Sequence, residues 1–181
     1  MLERLTKAEH RIQLTLSYST RGTCDRLHTA TTLWSAEPEH LFLAGGYNGA
    51  PSGVPSCDEI GHLMIEGHCI RTIHGEENAL LNCFNLEKLP GGIATILGTP
   101  CYKCAIKLVQ KKIAEVEYIG TYGNAQGKEH IEKLFSDSNT QWKVIPVEEA
   151  LRVAKKAVRF WKRSPGGVFK DFPHLKLSLF L

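Results

Sequence analysis

The chain has 181 residues and a mass of 20.2 kDa, enough for one domain with a short appendage; a chain of this size buries about 70% of its unfolded surface and needs no disulfide to form a core. Hydrophobic residues make up 43% and charged residues 23%, which excludes wholesale disorder. A net charge of +3, from 22 Lys+Arg against 19 Asp+Glu, is too mild for a dedicated nucleic-acid binder, and no apolar run approaches the roughly 20 residues of a membrane-spanning helix.

The segment Met1–His10 alternates charged and apolar residues and lacks the apolar centre of a secretory signal. Six cysteines without such a signal point to a reducing, cytoplasmic setting, where thiols serve as core residues, metal ligands or catalytic groups. In chain order, the first twenty residues read as a helix with Leu2, Leu5, Ile12 and Leu16 on one face. Thr29–Trp34 and His40–Gly46 follow as two strands, and residues 45–61 are too rich in Gly and Pro for regular structure. A helix is expected from His74 to Phe84, then a strand at Ile93–Leu97 and a helix from Cys101 to Lys112. A strand at Val116–Thr121, a helix at Gln126–Phe135, a strand at Trp142–Pro146 and a helix at Val147–Trp161 complete the pattern. This order predicts an α/β domain over residues 1–163, in three layers: a central mixed sheet of about five strands flanked by helices. Residues 164–181 form a tail with Pro165-Gly166-Gly167 and an apolar run, expected to dock on the domain or on a partner subunit.

Four residues carry the chemistry. His74 precedes Glu76 by two positions, and a proline introduces Cys101 and Cys104. One His and two Cys make three ligands for Zn²⁺ and leave a fourth position for water. Both cysteines fall in the first turn of a predicted helix, where the positive end of the helix dipole favours a thiolate. A carboxylate at Glu76 is placed to accept a proton from water and return it to a ring nitrogen and a departing amine. This is the His-x-Glu and Pro-Cys-x-x-Cys arrangement of zinc nucleobase deaminases, in which the glutamate is the general acid/base and not a ligand. A redox Cys-x-x-Cys pair explains the cysteines but not the His-x-Glu, and a structural zinc site calls for a fourth Cys or His.

The segment from Gly45 to Cys104 resembles the deoxycytidylate (dCMP) deaminases of the cytidine deaminase-like superfamily. The resemblance begins at Ser19–Leu27 with Thr23-Cys24-Asp25-Arg26 and runs through Gly46-Tyr47-Asn48-Gly49-Ala50-Pro51-Ser52-Gly53. It continues in Cys69-Ile70-Arg71-Thr72-Ile73-His74, Glu76 and Pro100-Cys101-Tyr102-Lys103-Cys104. It implies the cytidine deaminase-like fold and the hydrolysis of dCMP to dUMP and ammonia, which supplies thymidylate synthesis. The alternative is another cytosine species: dCTP, a 5-modified dCMP or the free nucleoside. The resemblance also implies substrate contacts from Asn48, from Arg26 to the phosphate, and from Tyr122. It implies a homo-oligomer, hexamer or dimer, with dCTP and dTTP as effectors and Mg²⁺ accompanying the triphosphate.

Cys24, Cys57, Cys69 and His62 make a candidate second, structural zinc site, with His68 the other histidine of that set; core thiols are the plainer alternative. The physical case is that the irregular stretch 45–73 lacks ladder hydrogen bonds and gains rigidity from a metal clip. Cys83 is expected in the core, and Lys155, Lys156, Arg159, Lys162 and Arg163 on a solvated helix face. Two departures from the family stand out. Gly75 replaces the usual Ala between His and Glu, which is expected to loosen the helix start or widen the pocket, and Gly123 replaces the basic residue that usually follows the tyrosine.

Overall fold

The computed structural model describes residues 4–162; the tail assigned to 164–181, together with Leu2 and Arg163, lies outside them. Helix α1 spans Lys7–Ser19 and begins later than the sequence suggests. Thr6 and Glu9 close a reciprocal capping box at its start, which satisfies two backbone donors that the helix leaves unpaired. Strands β1 (Ala30–Trp34) and β2 (Phe42–Tyr47) pair antiparallel. Residues 57–69, expected to be irregular, contain the short helix α2 (Cys57–Ile60) and a two-stranded hairpin of β3 (Met64–Ile65) and β4 (His68–Cys69). Then follow α3 (Gly75–Leu81), β5 (Ile93–Leu97), α4 (Tyr102–Gln110), β6 (Glu115–Ile119), α5 (Ile131–Asp137), β7 (Gln141–Ile145) and α6 (Val147–Lys162). Residues 128–130 form a separate 3-10 turn and not the first turn of α5. Gly127, in the left-handed region at φ 67°, breaks the segment before it.

The main sheet has the order β2-β1-β5-β6-β7, antiparallel at β2-β1 and β1-β5 and parallel at β5-β6 and β6-β7. Strand residues alternate between its faces. Leu33, Ala94, Ile96, Val116 and Tyr118 pack with residues of α3, α4 and α5, whereas Ile119 and Ile145 pack with Ile12, Ala150 and Val153 of α1 and α6. The result is the three-layer α/β/α arrangement with a mixed five-stranded sheet. Cys83 is buried in the first core, as expected. Lys156 departs from the expected solvated face: it is half-buried, and its ammonium meets Glu9 of α1 at 2.8 Å, joining the two helices of the second layer.

On that same face a carboxylate lies wholly inside. Glu117 is 0% exposed, and Arg11 binds it with both ends of its guanidinium, Nε to Oε2 at 2.9 Å and Nη2 to Oε1 at 2.6 Å. Thr95 Oγ1 donates to Oε2 at 2.9 Å, and Lys143 Nζ approaches Oε1 to 2.7 Å. Burial pushes this carboxyl upward; the Arg11 and Lys143 bonds override it and hold the group below 4.5.

Candidate metal centre

The parallel register of β5 and β6 places Leu97 beside Ile119, so the segments leaving both strands emerge at one end of the sheet. β2 ends there too, because Tyr47 pairs with Ala30 at the start of β1, which runs against β5. This end of an open α/β sheet is where ligands bind. The Gly49 and Ile73 main chains exchange hydrogen bonds, which brings His74 to the same place. His74 is the N-cap of α3 and Cys101 the N-cap of α4; Cys104 follows in the first turn of α4. Both cysteines are buried, and His74 lies on the solvent side.

His74 Nδ1 is 3.5 Å from Cys101 Sγ and 3.6 Å from Cys104 Sγ, and the three donor atoms lie within 4.8 Å of one another. A tetrahedral zinc with Zn–S of about 2.3 Å and Zn–N of about 2.0–2.1 Å separates nitrogen and sulfur by about 3.6 Å. The donor set therefore fits zinc in chemistry and in spacing, with three protein ligands as in catalytic sites. The Cys104 hydrogen bond and the neighbouring His74 ring bring the Cys101 thiol down to about 4. The hydrogen bond between His74 and Cys101 raises the His74 ring, and the bond between the two cysteines, together with burial, raises Cys104.

Glu76 stands in the first turn of α3 and is 4% exposed. Burial raises its carboxyl above the usual range, against the opposing pull of His74. A carboxyl kept out of water beside a metal triad is suited to taking and returning a proton. Gly75 is also buried. A Cβ there would stand 3.1 Å from Ala30 Cα and 3.3 Å from the Gly46 carbonyl, so the missing methyl faces the sheet backbone. The expectation that Gly75 widens the pocket is corrected on this point. A Cβ on Gly46 would in turn come within 2.2 Å of the Ala79 nitrogen, so α3 and β2 touch backbone to backbone. Asn78 Nδ2 donates to the Tyr47 carbonyl at 2.9 Å and fixes α3 on that strand.

The three residues expected at the substrate lie on three separate segments. Asn48 is buried, its Oδ1 accepting from the Thr29 amide at 3.1 Å and its Nδ2 donating to the Cys24 carbonyl at 3.3 Å. Tyr122 is half-buried beyond β6, with its amide donating to Thr99 Oγ1 at 3.0 Å. Arg26 is exposed and donates to the Gly67 carbonyl at 2.9 Å in the β3–β4 turn.

Cys24, Cys57, His62 and Cys69 form a second cluster, with all four donor atoms within 4.8 Å of one another; His68 is not in it. Cys57 Sγ and Cys69 Sγ are 3.5 Å apart, and Cys24 Sγ is 3.7 Å from His62 Nδ1. Burial pushes the Cys57 thiol up to about 12, helped by its thiol neighbours. Burial also opposes the Cys69 thiolate, but backbone donors at Arg71 and Leu63 outweigh it and bring Cys69 down to about 7. Sequence reasoning missed Asp25, whose Oδ1 is 3.0 Å from His62 Nε2 and turns Nδ1 toward the thiols. Its place next to Cys24 was the available signal.

A mixed α/β sheet with a His-Cys-Cys triad at two helix starts and a buried glutamate beside it defines a zinc-dependent deaminase domain. The model of the cytidine and deoxycytidylate deaminase zinc-binding region matches residues 6–120, and the chain belongs to that family. It is 33% identical over 133 residues to ComE operon protein 2 of Bacillus subtilis, covering 72% of this chain and 67% of that protein. It is 33% identical over 93 residues to the deoxycytidylate deaminase of Saccharomyces cerevisiae, covering 46% of this chain and 29% of the yeast protein. The dCMP deaminase of cyanophage S-TIM5, solved with dCMP and dUMP, shares the fold with a TM-score of 0.62 at 19% identity, over 79% of this chain and 99% of that one.

Proposed function

We propose that the protein deaminates a 2′-deoxycytidine 5′-phosphate, dCMP, to dUMP and ammonia. The observation that carries this reading is Glu76, buried on the first turn of α3 beside a donor triad spaced for tetrahedral zinc. The dCMP deaminases among the relatives support the choice of dCMP as substrate.

His74, Cys101 and Cys104 would hold the zinc. When bound, the ion supplies the Lewis acidity that brings a water toward deprotonation near neutral pH. Glu76 accepts the proton of that water as its oxygen attacks C4 of cytosine, and its carboxyl then delivers the proton to N3. Glu76 then takes the proton of the hydroxyl group added at C4 and passes it to the exocyclic amine; the C4–N bond breaks, the C4 oxygen becomes the uracil carbonyl, and ammonia leaves. The low exposure of Glu76 keeps bulk water from competing for this proton. Asn48, fixed at both polar ends, gives the β2 end a set shape against which the nucleotide can be oriented, with Tyr122 on the opposite wall and Arg26 toward the phosphate.

Cys24, Cys57, Cys69 and His62 hold a second, structural zinc in this reading. It would clamp the segment 57–69 onto Cys24, whose carbonyl in turn binds Asn48. Self-assembly as a hexamer or dimer, control by dCTP and dTTP with Mg²⁺, and a cytoplasmic location belong to the same proposal and rest on the resemblance. Ammonia release from dCMP, dCTP, deoxycytidine and a 5-substituted dCMP, assayed side by side, tests the substrate. The highest kcat/KM is expected with dCMP, and a preference for deoxycytidine overturns the nucleotide assignment.

A further inference from the structure

Tyr122 and Gly123 lie just past the end of β6, beside the segment that carries Cys101 out of β5. The segment 122–128 is fastened there. The Tyr102 amide, one residue beyond the metal ligand Cys101, donates to the Gln126 carbonyl at 2.8 Å. The backbone at Gly127 is so close to Tyr102 that a Cβ would come within 2.7 Å of the Tyr102 Cβ. From this anchored segment Lys128 reaches back. Its Nζ donates to the Gly123 carbonyl at 2.6 Å and stands 4.0 Å from the point where a side chain on Gly123 would begin. A cation five positions along the chain therefore occupies the space next to Tyr122 that Gly123 leaves open.

Lys128 is exposed and, among the described residues, forms no ion pair; the neighbouring carboxylate, Glu129, faces His130. An ammonium has three donors, and the Gly123 carbonyl uses one. The Gly123 carbonyl supplies no negative charge to balance the ammonium. A nucleotide bound with its base at the metal triad extends its 5′-phosphate away from the triad, and Lys128 is a cation beside Gly123, on a segment fastened next to Cys101 and held by its own hydrogen bond.

We propose that Lys128 is a specificity-determining residue that binds the 5′-phosphate of the nucleotide and selects nucleotides over nucleosides. This rests on the deaminase reading above. A charge-assisted contact to phosphate is one of the stronger single hydrogen bonds, so losing it is expected to cost about tenfold in substrate affinity.

The test is steady-state kinetics of the full chain and of K128M and K128R, with dCMP and deoxycytidine as paired substrates. The expected result is that K128M raises the KM for dCMP about tenfold and lowers the ratio of kcat/KM for dCMP over deoxycytidine by a similar factor. K128R restores that ratio at least in part. The dCMP effect should shrink as salt rises, because exposed charges are screened. An unchanged ratio in K128M overturns the assignment, whether both substrates are unaffected or both decline together; the latter would mean that Lys128 only braces the Tyr122 segment. No turnover of either substrate by the wild-type chain refutes the deaminase reading itself.

Discussion

Replacing Arg11 by Met tests what holds the layer opposite the metal centre. Glu117 is fully buried and accepts two charge-assisted bonds from Arg11, one from Lys143 and one from Thr95. Removing one partner of a buried ion pair costs about 3–5 kcal/mol, because the remaining charge has lost its compensation. Lys143 and Thr95 stay in place, so the lower end applies, about 3 kcal/mol. Methionine preserves most of the aliphatic stem, so little of this is a packing loss. In a domain of this size about 3 kcal/mol lowers Tm by about 6–12 °C. The assay is thermal unfolding by circular dichroism of the zinc-loaded protein. The double variant R11M/E117M removes both charges and is expected to recover more than half of the lost Tm, since it leaves no buried charge unpaired and forfeits only the weaker bond from the buried Thr95 hydroxyl. A shift under about 2 °C in R11M, or a double variant worse than the sum of its parts, refutes the reasoning.

The same pair fixes a pH dependence. The Glu117 carboxyl is held below its ordinary value of 4.5, so its contribution to stability is complete above that value and is lost as pH falls through the folded-state pKa. Tm measured from pH 7 downward should fall below about pH 4.5, and E117Q should flatten that part of the curve; a wild-type Tm independent of pH there contradicts the pairing. At the second cluster, zinc analysis of the purified chain should give about two equivalents, falling to about one in C57S, which keeps the His74, Cys101 and Cys104 set intact. One equivalent in the wild-type protein contradicts the structural zinc.

The parts of this molecule legible in the sequence are those whose cause is local. Ile93–Leu97 reads as a strand because its apolar, β-branched run is bounded by glycines, and its observed limits coincide with the reading. The candidate metal triad is legible because His74, Cys101 and Cys104 lie at the starts of two helices, in the His and Pro-Cys-x-x-Cys pattern of zinc donors. The segment 57–69 is not legible in this way. Its short helix and hairpin have no periodicity to reveal them, and the fold alone brings Cys24, Cys57, His62 and Cys69 within reach of one another. Glu117 is hidden for a different reason. Within Glu-Val-Glu-Tyr-Ile nothing marks this carboxylate as buried, and its partner Arg11 is 106 positions away. The direction in which a Gly75 methyl would point is not legible, because the close contact that fixes it, with the backbone of Ala30, lies in another element. Lys128 gave no signal at all, since a lysine near a glycine means nothing until the chain folds back.

The most direct test of the deaminase mechanism is ammonia release from dCMP by wild-type protein and E76Q, with zinc content measured on the same samples. Glutamine fills the buried space of Glu76 but cannot accept the proton, so E76Q should keep its zinc and lose on the order of 10²–10⁴-fold in kcat. Wild-type turnover by E76Q, or a fully active wild-type protein without metal, contradicts the account.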